Sequence, residues 1–265
     1  MKFREIFRFE FLYQARRIRT WLYFAVLFVV AYQLVRTSGG VDAFFISPFE
    51  IPQDTVLTTV LWVLMAPAVA GSAAARDVQT RMNPLIYTAP IRKVDYLGGR
   101  FLAAFILNAL ILLAAPLGIL AALSLPAMDP KVVRPLQPAL YLSTYGVLTL
   151  PTAFTFTAVQ FSLAALKRRA VVSYLGSVLF AISFSIAAAV VTNVLQMPTI
   201  GQLLDPACRF NVLILMADTL TPLEKNTVLI GLDRLILANR LLWVCLGCVI
   251  LQFTHARFRF DHHVA

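Results

Sequence analysis

Long apolar runs separated by short charged segments set the rhythm of this chain. The runs cover residues 20–35, 56–75, 101–125, 140–166, 170–195 and 235–254. A helix needs roughly 20 apolar residues to cross a bilayer. The pattern therefore predicts an all-α polytopic membrane protein with six transmembrane helices. The first run is short and flanked by Arg19 and Arg36, and the last carries Asn239 and Arg240 near its start. Long side chains at such edges can snorkel to the headgroups, so both runs read as spans. Ahead of the first run, MKFREIFRFEFLYQARRIR repeats Phe3, Phe7 and Phe11 every fourth residue, with Ile6 and Tyr13 nearby and Arg4 and Arg8 on another face. Residues 1–19 thus read as an amphipathic helix lying in the interface, the alternative being a basic flank that merely orients the first span.

Composition agrees with the pattern. The 265 residues are 60% apolar and 14% charged, against about 45–50% and about 25% for soluble domains. The N-terminal segment is charged throughout and no small-residue cleavage site follows, so the first span reads as a retained anchor. Sixteen of the 23 Lys and Arg residues fall in the N-terminal segment, 76–100, 167–169 and the tail, and seven in the other connections; eight of the 13 acids lie on that poorer side. By the bias of Lys and Arg towards the cytoplasm, both termini and segment 76–100 are expected inside a bacterial cytoplasmic membrane. The net charge of +10 needs no nucleic acid; that bias and attraction to anionic membrane lipid account for it.

Segment 76–100 is the most distinctive stretch, a polar, basic insert between two spans. Residues 81–90 are expected to form a short helix, with Met82, Leu85 and Ile86 at i, i+3 and i+4 on one face. Asp77 is expected near its start, where a carboxylate favours exposed backbone N–H groups, and Pro90 at its end. Pro84 is a second punctuation mark, and Arg81, Arg92 and Lys93 ring the face. Such an apolar face outside the membrane is costly unless it meets lipid or a partner.

Within the fifth span, Ser173, Ser177, Ala181 and Ser185 recur at every fourth position beside Gly176. Small residues on one stripe let another helix approach closely, either inside the same bundle, the preferred reading, or at a dimer seam. The fourth span carries many hydroxyls, which can bond their own helix backbone. Pro67, Pro116 and Pro151 each sit inside a span and predict kinks. No span holds an acid at mid-depth, which argues against a proton- or ion-coupled carrier. No glycine-rich phosphate loop and no His-Glu-x-x-His helix occurs, so neither ATPase nor zinc peptidase chemistry, nor any cofactor, is expected of the chain. Cys245 and Cys248 have half-zinc-site spacing but lie in an apolar run, and read as packing. His262 and His263 read as a solvated tail, and Cys208 stands alone.

The arrangement resembles the permeases of type-2 ATP-binding-cassette exporters. The residues that carry the likeness are Asp77, Pro84-Leu85-Ile86, Ala89-Pro90 and Gly99-Arg100. It is closest to permease halves fused ahead of a zinc aminopeptidase, through Ala75-Arg76-Asp77, Thr88-Ala89-Pro90 and Asp95-Tyr96-Leu97-Gly98-Gly99-Arg100-Phe101. Leu204-Asp205-Pro206, Glu224-Lys225-Asn226-Thr227, Ala238-Asn239-Arg240-Leu241-Leu242-Trp243 and Arg257-Phe258-Arg259-Phe260 continue it. The resemblance implies that 76–100 is a coupling elbow docking on a cytoplasmic ATPase subunit through Asp77, Arg81, Met82, Pro84, Leu85, Ile86, Pro90 and Arg92. It also implies a second permease half, identical or related, and short helices in 196–234, with 211–217 dipping into the outer face. An ordinary outer loop is the alternative for 196–234, and a membrane anchor or assembly subunit without its own transport path is the alternative for the whole chain.

Overall fold

A computed structural model describes residues 2–37, 47–124, 137–209, 212, 221–227 and 234–260. The segment 211–217, apart from Val212, and His262 and His263 lie outside them. No strand occurs among the described residues. The helices are α1 (Lys2–Ala15), α2 (Ile18–Thr37), α3 (Glu50–Met65), α4 (Pro67–Gln79), α5 (Asn83–Tyr87), α6 (Lys93–Leu112) and α7 (Ala114–Leu123). After them come α8 (Pro138–Ser143), a π-helical turn (Thr144–Thr149), α9 (Leu150–Lys167), α10 (Ala170–Asn193), α11 (Pro198–Leu204), α12 (Pro222–Thr227) and α13 (Arg234–Arg257). Among the described residues, six stretches are long and apolar enough to cross a membrane: Ile18–Thr37, Glu50–Gln79, Lys93–Leu123, Pro138–Lys167, Ala170–Asn193 and Arg234–Arg257. The chain is a multi-pass, all-α membrane protein.

Each in-span proline marks a break. Pro67 opens α4 directly after α3, Pro116 lies in the first turn of α7 after the break at Leu113, and Pro151 follows the π-helical turn. Proline lacks the N–H for the i−4 carbonyl and clashes with it, so the chain re-registers around each ring. The second span begins at Glu50, a turn and a half earlier than the apolar run suggests. That start places Glu50 and the buried Asp54 inside its first turns.

The core is built from alanines on α4, α6, α7 and α9 with Trp62, Phe156 and Phe161 between them. Small residues let helices approach where lipid supplies no hydrophobic drive. The stripe on α10 works within the chain. A Cβ on Gly71 would stand 2.3 Å from Ser173 Oγ, and a Cβ on Gly176 would stand 2.2 Å from Leu163 Cδ1. Gln160 of α9 donates to Ser177 Oγ at 2.8 Å. Ala181 and Ser185 instead line a cavity of about 340 Å³ between α3, α10 and residues 205–209. Leu175, Leu179, Ile182 and Ile186 of α10 are exposed, and the last two also border that cavity. The hydroxyls of the fourth span divide. Thr152 bonds its own backbone at Leu148 O, whereas Thr157 accepts from Asn108 and Thr155 donates to Trp243 O.

Candidate functional site

At the end of the bundle that gathers α1, α5 and the tail, four charged side chains meet out of water. Arg76, on the last turn of α4, donates to both carboxylate oxygens of Glu10 on α1, at 3.0 and 2.7 Å. Arg100 of α6 donates to Asp77 Oδ2 at 2.5 Å and to Ala73 O at 3.0 Å. Tyr96, one turn before Arg100, donates to the same Asp77 oxygen at 2.9 Å. Gln14 donates to Glu10 and accepts from Ser72. Glu10, Asp77 and Arg100 are buried, and two carboxylates balance two guanidiniums. A buried charge is tolerated only when paired and fully hydrogen-bonded, and this cluster meets both conditions. The Arg76 guanidinium also lies over the Tyr13 ring, at 4.2 Å.

Local geometry brings α1 to this cluster. Gly98 and Gly99 on α6 let α1 approach closely. A Cβ on Gly99 would stand 3.1 Å from Ile6 Cγ2 and from Phe3 O, and 3.2 Å from Phe7 N. The amphipathic helix therefore forms, but Phe3, Ile6 and Phe7 face α6. Glu10 and Gln14 are its buried residues, and Phe9, Leu12 and Tyr13 are exposed.

The elbow departs from expectation in three respects. Asp77 belongs to the last turns of α4 and binds Arg100, so it caps no elbow helix. The helix runs from Asn83 to Tyr87 rather than over 81–90. Its start is set by a Schellman turn: Met82 N–H donates to Asp77 O at 2.8 Å and Arg81 N–H to Val78 O at 3.2 Å. That turn holds Arg81 in the left-handed region at φ 56°. Pro84 fits the first turn, where its missing N–H costs nothing. Thr88 closes the helix by donating to Pro84 O and Leu85 O, well before Pro90. Finally, the apolar triplet divides. Leu85 is 71% and Met82 49% exposed, while Ile86 packs against the core. Arg81, Pro84, Pro90 and Arg92 are exposed. Met82, Ile86 and Ile91 line a cleft of about 490 Å³ whose other wall is α1.

Tyr87 anchors α5. Its ring centroid lies 6.0 Å from Tyr96, 6.2 Å from Phe258 and 5.1 Å from Phe260. Burial pushes the Tyr87 hydroxyl above the ordinary range. Lys2 donates to Pro90 O from the other side. The sequence reading missed Glu10, Gln14 and Tyr87. A signal was present for Glu10, an acid in the one helix otherwise crowded with Arg and Phe.

At the opposite end a second polar knot holds α11. Asn239 Nδ2 is offered to Gln202 O at 2.7 Å, Asp205 O at 3.0 Å and Leu203 O at 3.2 Å. Trp243 Nε1 donates to Leu203 O at 3.0 Å. Arg240 donates to Asn239 Oδ1 at 3.0 Å and to Thr152 Oγ1 at 2.7 Å. Asn239 and Arg240 are buried and do not snorkel. They fill the role of a C-terminal cap, satisfying carbonyls that a helix end leaves open. Residues 204–206 and 238–243, far apart in sequence, thus meet as one unit. Cys245 and Cys248 are exposed on α13. No protein-family profile matches the chain, and no characterised protein shows detectable sequence similarity to it.

Proposed function

We propose that the chain is the membrane-spanning permease subunit of a type-2 ATP-binding-cassette exporter in a bacterial cytoplasmic membrane. ATP is bound and hydrolysed by a separate cytoplasmic subunit, and the chain is not itself an enzyme. The observation that carries this reading is the elbow. Leu85 points outward from a helix of five residues, Asn83–Tyr87, that the rest of the molecule grips on its other side, and Met82 is half-exposed just ahead of it. A loop that only had to reverse the chain would need neither the Tyr87 nest nor two buried ion pairs beside it. With Arg81, Pro84, Pro90 and Arg92 around it, the exposed apolar patch suits an apolar groove with an acidic rim on the partner.

The grip also supports a mechanism of coupling. A displacement of α5 by the ATPase passes through Tyr87 to Tyr96 on α6 and to the tail of α13, then through Arg100 and Asp77 to α4. The motion therefore reaches three spans rather than dissipating in a loop. One six-span unit supplies half of a translocation path, so a second unit, identical or related, completes it. The exposed face of α10 is an apolar surface available for such pairing.

The test is Leu85→Asp. The side chain is exposed, so insertion and folding survive, whereas a carboxylate in an apolar groove costs several kcal/mol. Loss of the co-purifying ATPase supports the reading. An ATPase that still binds and turns over normally overturns it.

A further inference from the structure

Within the cavity of about 340 Å³ between α3, α10 and residues 205–209, one cation stands among apolar walls. Val60, Val63, Phe156 and Ile182 supply those walls, and Arg209 supplies the charge. Both α3 and α10 belong to membrane-spanning stretches. Val60 stands roughly 15 Å beyond Glu50 along the helix axis, at 1.5 Å per residue, which is about half of a hydrocarbon layer. Leu64, Ile182 and Ile186 line the cavity and are more than half exposed, so its mouth opens sideways, where spans meet acyl chains.

The charged end is built by a turn. Asp205 Oδ1 accepts from the Ala207 N–H at 3.0 Å, and Asp205 O accepts from the Cys208 N–H at 3.2 Å. Asp followed by Pro favours such a turn, because the carboxylate bonds the backbone two residues on and the proline ring presets φ. Cys208 then reverses the chain in the left-handed region, at φ 57°. Asn239 also donates to Asp205 O, at 3.0 Å, so the turn is fixed to α13. Arg209 follows it and is half-buried. The other polar groups of the lining are already engaged. The buried Asp205 carboxylate serves the turn, and the Ser185 hydroxyl donates to Ala181 O at 2.7 Å. No carboxylate is paired to Arg209 among the described residues. A guanidinium held at an apolar cavity inside the membrane without a counter-ion is costly, and such positions mark ligand sites.

The geometry points to a binding site for a single-chain anionic amphiphile. Its acyl chain lies along α3 and α10, and its oxyanion head, carboxylate or phosphate, sits on the Arg209 guanidinium. The planar guanidinium presents paired N–H groups that match two oxygens of either head. The volume is at the small end of ligand sites, which run from about 300 to 1,000 Å³, and suits one acyl chain. A second copy laying an apolar helix over the mouth would cover Arg209 without giving it an acceptor, which disfavours that occupant. Leu175 and Leu179 of α10 lie outside the lining. The site is complete within one chain and depends neither on the elbow nor on a transport partner.

The experiment uses the full chain in a neutral detergent. Palmitate, palmitoyl lysophosphatidylglycerol and palmitoyl lysophosphatidylcholine are added in turn, and retained amphiphile is counted by native mass spectrometry. Glycerol phosphate serves as a head without a chain, read by the thermal unfolding midpoint. The wild type is expected to retain an anionic probe in preference to lysophosphatidylcholine and to ignore glycerol phosphate. Retention of palmitate alone assigns the head as a carboxylate, and of lysophosphatidylglycerol alone as a phosphate; either supports the site. Arg209→Gln should lower retention of the anionic probe by roughly tenfold or more, the scale of a charge-assisted hydrogen bond, and Arg209→Lys should keep part of it. Arg36→Gln, an exposed cation outside the lining, should change nothing. Ile182→Trp fills the cavity from its exposed edge and should abolish retention, and Ser185→Leu is an independent filler. Equal retention of anionic and zwitterionic probes by the wild type overturns the proposal, as does undiminished retention in Arg209→Gln or in both fillers. A loss in Arg36→Gln equal to that in Arg209→Gln means unspecific attraction and also overturns it. Stabilisation by glycerol phosphate equal to that by lysophosphatidylglycerol means an anion site without a chain site, with the same consequence. A change of oligomeric state in Ile182→Trp with retention unchanged means that a second copy covers the cavity, and rejects the amphiphile.

Discussion

Arg76 grips Glu10 with both terminal nitrogens, at 3.0 and 2.7 Å, and so ties the N-terminal helix to the end of the second span. The pair is bidentate and lies almost wholly out of water, with side-chain exposures of 11% and 1%. Its neighbours Arg100 and Asp77 form the second half of the same cluster.

Glu10→Ala is therefore expected to be far more damaging than loss of a surface acid. Removing one partner strands a buried guanidinium, at a cost of about 3–5 kcal/mol. Arg76→Ala should do the same in the opposite sense. The reversed pair, Glu10→Arg with Arg76→Glu, restores opposite charges and should regain part of the loss. Thermal unfolding of the purified chain in detergent reads all of these. A Glu10→Ala midpoint within error of wild type means the pair contributes nothing.

Arg81 stands where a Schellman turn favours glycine, with φ at 56°. A left-handed conformation costs a residue with a Cβ roughly 1–2 kcal/mol. Arg81→Gly is thus expected to raise, or at least keep, the unfolding midpoint of the isolated chain. If Arg81 meets an acid on the ATPase, the same change should weaken subunit binding. A variant more stable alone and weaker in complex is the expected signature. One that loses stability contradicts the account of the turn.

Gly201 marks the contact between α11 and α10. A Cβ there would lie 1.9 Å from Thr192 Oγ1 and 2.9 Å from Ala188 O. Gly201→Ala is expected to cost about 1–3 kcal/mol through overpacking, and Thr192→Ala in the same chain should recover part of it. Asn239→Ala removes the donor offered to the carbonyls of Gln202, Leu203 and Asp205 and should loosen α11 by about 1–3 kcal/mol. Hydrogen exchange over residues 198–204 is the readout. Protection unchanged in both variants means that α11 is held by other contacts.

The spans were legible because a bilayer imposes a length and an apolarity that survive in any window of the sequence. The elbow was legible as a place but not as a shape. Its helix is shortened at one end by a left-handed Arg81 and at the other by Thr88, and neither residue type announces such a role. Asp77 and Arg100 were visible as charges flanking the elbow, yet nothing in their spacing says that they bond each other. Asn239 and Arg240 looked like snorkelling residues because local sequence contains no hint of α11. The partners of Asn239 are backbone carbonyls more than 30 residues away, which carry no side-chain signal, and Arg240 bonds Asn239 itself and the distant Thr152 hydroxyl.

Orientation is the remaining question that a single chemical experiment decides. With sixteen Lys and Arg residues against seven, the positive-inside bias leads one to expect both termini and the elbow on the inner side. Thr80 caps the end of α4, and Thr221 precedes α12 and accepts from the Glu224 N–H. Both are exposed, so a cysteine at either position is open to a water-soluble maleimide. The thiol residues Cys208, Cys245 and Cys248 are replaced first by alanine. In intact cells Thr221→Cys should then react with a membrane-impermeant reagent and Thr80→Cys should not. After permeabilisation both should react. The two sites are on opposite sides by this count, so the experiment carries its own control. Reaction of Thr80→Cys from outside intact cells would invert the orientation and remove the elbow from reach of any cytoplasmic ATPase.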